Sequence, residues 1–319
     1  MIPKPDLISL LAPLLLLSLT VGSRAEEGGS GHYLPGAAAS FIDALPGRPS
    51  VSIVDLFAFY QGDAGITRTL PIAGLSAAGL EAEAEANSVG VFWETPLEIL
   101  GGNYATGAVV PFVWMNAEAD VTVAGKTVRR KDNDSGVGDI TFFPFMLGWT
   151  RGTDLKYDVR FAVYAPTGGY DAGNLANVGK NYWTFEPGAS ISWLSSKIGL
   201  EVSAFAGIDF NTRNDDTDYT TGTQAHLDFT VAEHLPLWGG FIGVGFTGFY
   251  YDQITGDRGS GAKFGDFEGR TLGVGPVLSY ATKLCGQYDL VTEIKWLPEL
   301  DVSKRTEGDY VWCKFALAL

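Results

Sequence analysis

Three glutamates stand two residues apart in "LEAEAEAN" (residues 80–87), each followed by an alanine. In a helix, Glu81, Glu83 and Glu85 would scatter around the cylinder, about 200° apart at each step, because side chains repeat every 3.6 residues. In a strand the same spacing aligns all three carboxylates on one face and puts Leu80, Ala82, Ala84 and Ala86 on the other. A row of carboxylates attracts cations and repels anions. A second pair, His226 and Asp228, has the spacing at which a carboxylate can orient an imidazole. No Gly-x-Ser-x-Gly elbow occurs, however, and nothing in the sequence places a nucleophile beside His226. The stretches "DNDSGVGD" (132–139) and "NDDTDY" (214–219) alternate carboxylates as calcium loops do, but where the EF-hand spacing needs a bidentate Glu the first has Phe143. Turn chemistry accounts for Asp, Asn and Gly there without a metal. The paired glycines of "GVGDIT" and "GVGPV" fall short of a phosphate-binding motif. No catalytic residue, metal site or cofactor is therefore expected.

These residues must be positioned by strands. "QAHLDFTV", "LEVSAFAGIDFN", "YDLVTEIKW" and "YVWCKFALAL" all alternate with period two. "LEAEAEAN" belongs to the same series, so its pattern overrides its helix propensity. About twelve strands are expected, near 51–61, 79–93, 104–122, 138–149, 155–165, 182–194, 199–211, 222–234, 238–251, 269–282, 287–298 and 308–319. Between them, short turns ("RGT", "SSKI", "LPLW", "KLCG") alternate with longer polar loops such as "PTGGYDAGNLANVGKN" and "DQITGDRGSGAKFGDF". That asymmetry belongs to an all-β, antiparallel transmembrane barrel with short periplasmic turns and long outer loops. A secreted β-sandwich also alternates, but it gives no reason for one end to carry every long loop. Nor does it explain Trp183, Trp193, Trp238 and Trp296 near the ends of apolar faces, where a barrel places its aromatic girdles.

The remaining sequence fits that compartment. Lys4, the apolar stretch Leu7 to Val21 and the small residues Ser23 and Ala25 read as a signal peptide over residues 1–25, cut before Glu26. Residues 26–50, rich in Gly and Pro with a short helical candidate in "AAASFIDAL", read equally as a periplasmic leader or as a plug inside the barrel of residues 51–319. A net charge of −15 argues against nucleic acid as a partner. Strand register separates Cys285 from Cys313 by about 26 Å of strand, far beyond the roughly 7 Å a disulfide spans. Both are expected as free thiols.

Several stretches resemble one family. "GVGDITFFPFMLGW" (136–149), "APTGGYD" (165–171), "NLANVGKNYWTFEPGASISW" (174–193), "FNTRNDDTDYTTGTQAHLDF" (210–229), "GFYYDQITGDRG" (248–259) and "GVGPVLSY" (273–280) are similar to outer-membrane proteins described as involved in the meta-pathway of phenol degradation, and "GSGHYLPGAA" (30–39) resembles their mature N-terminus. The resemblance implies a β-barrel of the bacterial outer membrane that passes small, often aromatic, compounds.

With outward faces assigned by apolarity, the inward set comprises Glu81, Glu83, Glu85, Glu118, Asp120, Asp158, Arg160, Glu186, Glu201, Asp209, His226, Asp228, Asp289, Glu293 and Lys295. Acids so outnumber bases that a wet, cation-preferring lumen is expected, since unpaired buried carboxylates would need water, protons or cations. The function expected is a channel passing small molecules by passive diffusion through that acidic lumen. A closed barrel with an adhesive or envelope-structural role for its outer loops is the alternative, and a barrel enzyme a more remote one. Its partners would be outer-membrane lipid, small solutes and, during insertion, the barrel-assembly machinery.

Overall fold

The computed structural model describes residues 30–65, 68–123, 125–263 and 268–319; the expected signal peptide lies outside the described residues. The described chain is mostly strand, with almost no helix. β1 (Ser50–Asp63) is followed by the short β2 (Thr69–Ile72), then by β3 (Leu75–Ile99) and β4 (Gly102–Val123). β5 (Lys126–Val137), β6 (Ile140–Arg151), β7 (Leu155–Ala165), β8 (Thr184–Leu194) and β9 (Leu200–Asn211) come next. β10 (Gln224–Leu237), β11 (Gly240–Gln253), β12 (Arg270–Leu284), β13 (Tyr288–Ser303) and β14 (Glu307–Ala318) complete the sheet.

Every pairing is antiparallel, and the sheet closes because β1 pairs with β3 on one side and with β14 on the other. Twelve strands form the ring. β2 and β5 are not extra staves. β2 carries on the edge of β1 along β3, and β5 carries on the edge of β6 along β4, each after a local break in register. Sequence alternation assigned both segments to loops, because "TRTLPI" is short and "KTVRRKDNDSGV" is polar on both faces. Pairing above a membrane needs no apolar face.

β3 has 25 residues and β4 has 22, against roughly 9–11 for a strand that only crosses the hydrocarbon. With β2 and β5 they raise one side of the barrel into a tall wall on the long-loop side. At the opposite end the turns are tight. Leu100–Gly101 and Trp238–Gly239 both have positive φ at two consecutive residues (52° and 73°, 47° and 79°), the arrangement that matches the twist of paired strands. Around the ring a band of apolar side chains faces outward, including Val91, Trp93, Phe112, Trp114, Val202 and Phe246. Such a belt is costly in water and matched by lipid.

The inside is not hollow. Residues 30–46 lie within the ring, with one 3-10 turn at Phe41–Asp43 whose start is closed by Ser40 N–H donating to Asp43 (3.0 Å). At the long-loop end, Leu175 and Ala176 from the β7–β8 loop pack on Leu70, Leu80, Ala117 and Val121 of the tall wall.

Candidate functional site

A chain segment with so little helix or strand carries backbone N–H and C=O groups that need partners. The charged residues of the barrel wall supply them. Lys295 donates to the carbonyls of Gly36 and Ala38 (3.2 and 3.1 Å), Lys314 to that of Ala37 (2.9 Å) and the Trp312 indole to that of Pro35 (3.1 Å). In the other sense, Ala38 N–H donates to Asp228 (3.1 Å) and Phe41 N–H to Glu201 (2.7 Å). Side chains of the segment reach the wall as well. The Tyr33 hydroxyl donates to Asp228, Lys314 pairs with Asp43 (2.6 Å), and His32 contacts Asp139 and Thr184 (2.9 and 2.7 Å).

This accounts for much of the inward set. Asp158, Glu201, Asp228, Glu293 and Lys295 point inward and are buried. Arg160 is held by Asp158 through two bonds (2.7 and 2.8 Å) and also donates to the Asp43 carbonyl (3.2 Å). Lys295 lies 3.2 Å from Glu293. Glu186, Asp209 and His226 meet on three adjacent strands, each offering one donor atom within 4.8 Å of the others. Asp289 sits at the turn end, half exposed, between Lys283 and Arg48. His226 and Asp228, paired by spacing, do different work: Asp228 holds Tyr33, and the carboxylates beside His226 are Asp209 and Glu186.

The other part of the set faces the wrong way for a lumen. In β3 the alternate residues Leu80, Ala82, Ala84, Ala86, Ser88, Gly90 and Phe92 line the cavity. Glu81 and Glu83 are exposed on the opposite face, the one that continues into Val89, Val91 and Trp93. Glu85 shares their parity, is half-buried and also borders the cavity. Glu118 and Asp120 fall on the outward parity of β4 with Phe112 and Trp114. These acids form a ladder with β5: Arg129 reaches Glu81 (2.7 Å) and Glu118 (2.8 Å), and Lys131 reaches Glu118. The rule that apolar means outward failed here because the strand outruns the membrane. Above the lipid, the outer face is polar and the inner face is free to be apolar. The signal was present in the sequence, since Val89, Val91 and Trp93 have the parity of the glutamates and are much better lipid contacts than alanine.

Between the inner segment and the tall wall runs a cavity of about 850 Å³. It borders Tyr170 and Leu175 near the long loops and Gly239 and Asp289 at the turn end. One side is made of small and apolar groups, Leu56 and Ala58 of β1, the β3 alanines, and Val113 and Met115 of β4; the other is formed by the inner segment together with wall residues such as Lys156, Arg160, Glu186, Tyr310 and Lys314. Of the expected lumen residues, Glu85, Arg160, Glu186, Asp228 and Asp289 border it.

The aspartate-rich stretches are engaged by backbone N–H groups of neighbouring loops. Asp132 and Asp134 accept from the N–H groups of Leu175 and Val178 (2.8 and 3.0 Å), and Asp139 from Gly168 and Lys180 (2.9 and 2.7 Å). Asp218 accepts from Ser260 through its N–H and hydroxyl (3.1 and 2.6 Å) and faces Arg213 at 3.1 Å, so donors and a cation hold its carboxyl below the usual range. Cys285 and Cys313 are free thiols.

Among solved structures, the COG4313 outer membrane channel of Pseudomonas putida F1 aligns with a TM-score of 0.61 at 13% identity, over 86% of this chain and 97% of that one. The β-domain of the Bordetella autotransporter BrkA aligns at 0.43 and 9% identity, over 84% and 99%. No curated protein matches the chain. The closed ring and its lipid-facing belt are those of a bacterial outer-membrane barrel. The model of the family described as the MetA-pathway of phenol degradation matches residues 61–315. The chain is therefore a member of that family.

Proposed function

We propose that the protein is an outer-membrane channel for small, weakly polar compounds, which diffuse passively along the apolar wall while the inner segment keeps the path narrow. The observation that carries this reading is the cavity that reaches from the long-loop end to the turn end along Leu56, Ala58, Ala82, Ala84 and Val113. A path of this lining favours solutes that shed little hydration on entry. Charged solutes would leave water for the apolar side of that path, while several charged groups on its other side, Arg160 and Lys314 among them, are already bound to wall acids or to the inner segment. The family description, which concerns phenol degradation, supports aromatic compounds as the solute class. The acidic-lumen version of a channel is the weaker one, because Glu201 and Asp228 hold the segment directly and Asp158 and Glu293 pair with the bases that hold it. Transport rather than catalysis is the reading that a cavity running between the two ends of the barrel supports.

The test is uptake of phenol and of a size-matched organic cation into proteoliposomes. Faster phenol entry, slowed several-fold by Ala84→Trp, is expected. Equal entry of both solutes, or no effect of the tryptophan, would sink the apolar path. No entry of either by a folded barrel would favour the envelope-structural alternative.

A further inference from the structure

We propose that Glu186, Asp209 and His226 form a binding site for one divalent transition-metal ion of the zinc class, set in the barrel wall beneath Tyr33. The three residues come from neighbouring strands, β8, β9 and β10, and project inward side by side. His226 Nε2 stands 3.7 Å from Asp209 Oδ1 and 3.9 Å from Glu186 Oε2. Those separations are too long for hydrogen bonds. They are close to the roughly 3.4 Å between donors that each lie about 2.1 Å from a shared tetrahedral ion.

The same wall contains an internal control. His234 and Glu201 are also a buried imidazole and carboxylate, and they meet directly at 2.7 Å. At the proposed site nothing closes in this way. Both oxygens of Asp209 and both ring nitrogens of His226 lack a hydrogen-bond partner, although Asp209 is 0% and His226 4% exposed. Buried polar atoms are rarely left so. The nearby Arg160 guanidinium is committed to Asp158. Two carboxylates and a neutral imidazole carry two negative charges, which a divalent ion balances.

The surroundings also fit. Gly207 lies opposite both His226 and Gly188 in the sheet. A Cβ there would come within 2.6 Å of His226 Nε2 and 3.2 Å of Glu186 Oε1, so glycine leaves the donors their space. The Tyr164 hydroxyl donates to Glu186 Oε2 (2.7 Å), orienting that carboxylate from outside the cluster. Tyr33 stacks on the His226 ring at 3.8 Å between centroids, while Glu186 borders the cavity and gives an ion its way in. One imidazole with two carboxylates suits zinc and its first-row neighbours. Calcium takes six or more oxygens.

The experiment uses the full chain purified in detergent, stripped with a chelator and titrated with Co²⁺ alone, with heat-modifiable gel migration as the check on folding. One equivalent of Co²⁺ per chain is expected, with visible bands of nitrogen–oxygen coordination, displaced by Zn²⁺ and not by equal Ca²⁺. Asp209→Asn should abolish that equivalent, as should Gly207→Val, which keeps all three donors. Tyr164→Phe, the mildest change, should weaken binding by about tenfold and serves if the others do not fold. The proposal fails if the folded wild type binds no equivalent, or if binding is unchanged in the folded variants. Solute uptake enters none of these readings, so the site stands or falls apart from the channel.

Discussion

The two sides of this barrel solve opposite problems with the same strand pattern. On the wall formed by β1, β3 and β4, the inward positions that line the cavity are mostly small or apolar, among them alanine, leucine and valine. On the wall formed by β7 to β10, β13 and β14, the inward positions are charged, and they grip the backbone of residues 30–46. The charged wall fixes a segment that has little secondary structure of its own, because each buried N–H or C=O must find a partner. Among the described residues the apolar wall offers such a partner only at the segment's edge, where Glu94 accepts from Gly47 N–H, so the segment stays on the far side and a gap remains. Inward charge here is mostly structural. The proposed solute path belongs to the wall that has the least of it.

The comparison can be broken at its strongest point by deleting residues 30–46. Ion conductance in planar bilayers should then rise on the order of tenfold, because a ring of this size without its segment is wide and lined by charge; an unchanged value would mean the segment does not narrow the path. Next in size is Asp228→Ala, which strands the Tyr33 hydroxyl and the Ala38 N–H. It should cost about 3 kcal/mol, read as lower resistance of the segment to denaturant by labelling a cysteine placed at residue 38. Loss of less than a third of that would show that the grip is spread over many bonds. Ala84→Trp sharpens the contrast on the apolar side: phenol uptake should fall several-fold with little change in unfolding temperature. Replacing both Glu81 and Glu83 by Gln should change ion selectivity not at all and stability by about 0.5 kcal/mol or less, as exposed pairs do. A shift in reversal potential would return those glutamates to the conducting path.

The smallest effect concerns the outer loops. Asp218, held below its ordinary value, contributes stability that is complete above the unfolded carboxylate value of about 3.9 and is lost as pH falls through its folded value. The clasp to Ser260 should therefore be intact at neutral pH and open only in acid. Exchange of the Ser260 amide, corrected for its intrinsic pH dependence, would report this, and opening already near neutral pH would rule the clasp out.

Much of this was legible in advance. Alternation, with the apolar face given to lipid, places Glu201, Asp228, Glu293 and Lys295 inward, because neighbours along a strand must face opposite ways. Glu81, Glu83, Glu118 and Asp120 were misplaced because alternation defines two faces and does not label them. The label came from assuming that all apolar residues meet lipid, which holds only where the strand is in lipid. For β3 and β4 the membrane ends partway along.

What the sequence by itself determined is therefore local: the period, the turns, the alternation of short and long connections, and so a closed antiparallel barrel with two unlike ends. Each of these follows from side-chain spacing and backbone preference within a few residues. Only the tertiary structure decided where residues 30–46 lie, which wall they touch, and that Glu186, Asp209 and His226 meet. Those facts depend on ring closure, which brings together residues that no sequence period connects, and on a segment whose backbone bonds could be satisfied only after the wall had formed around it.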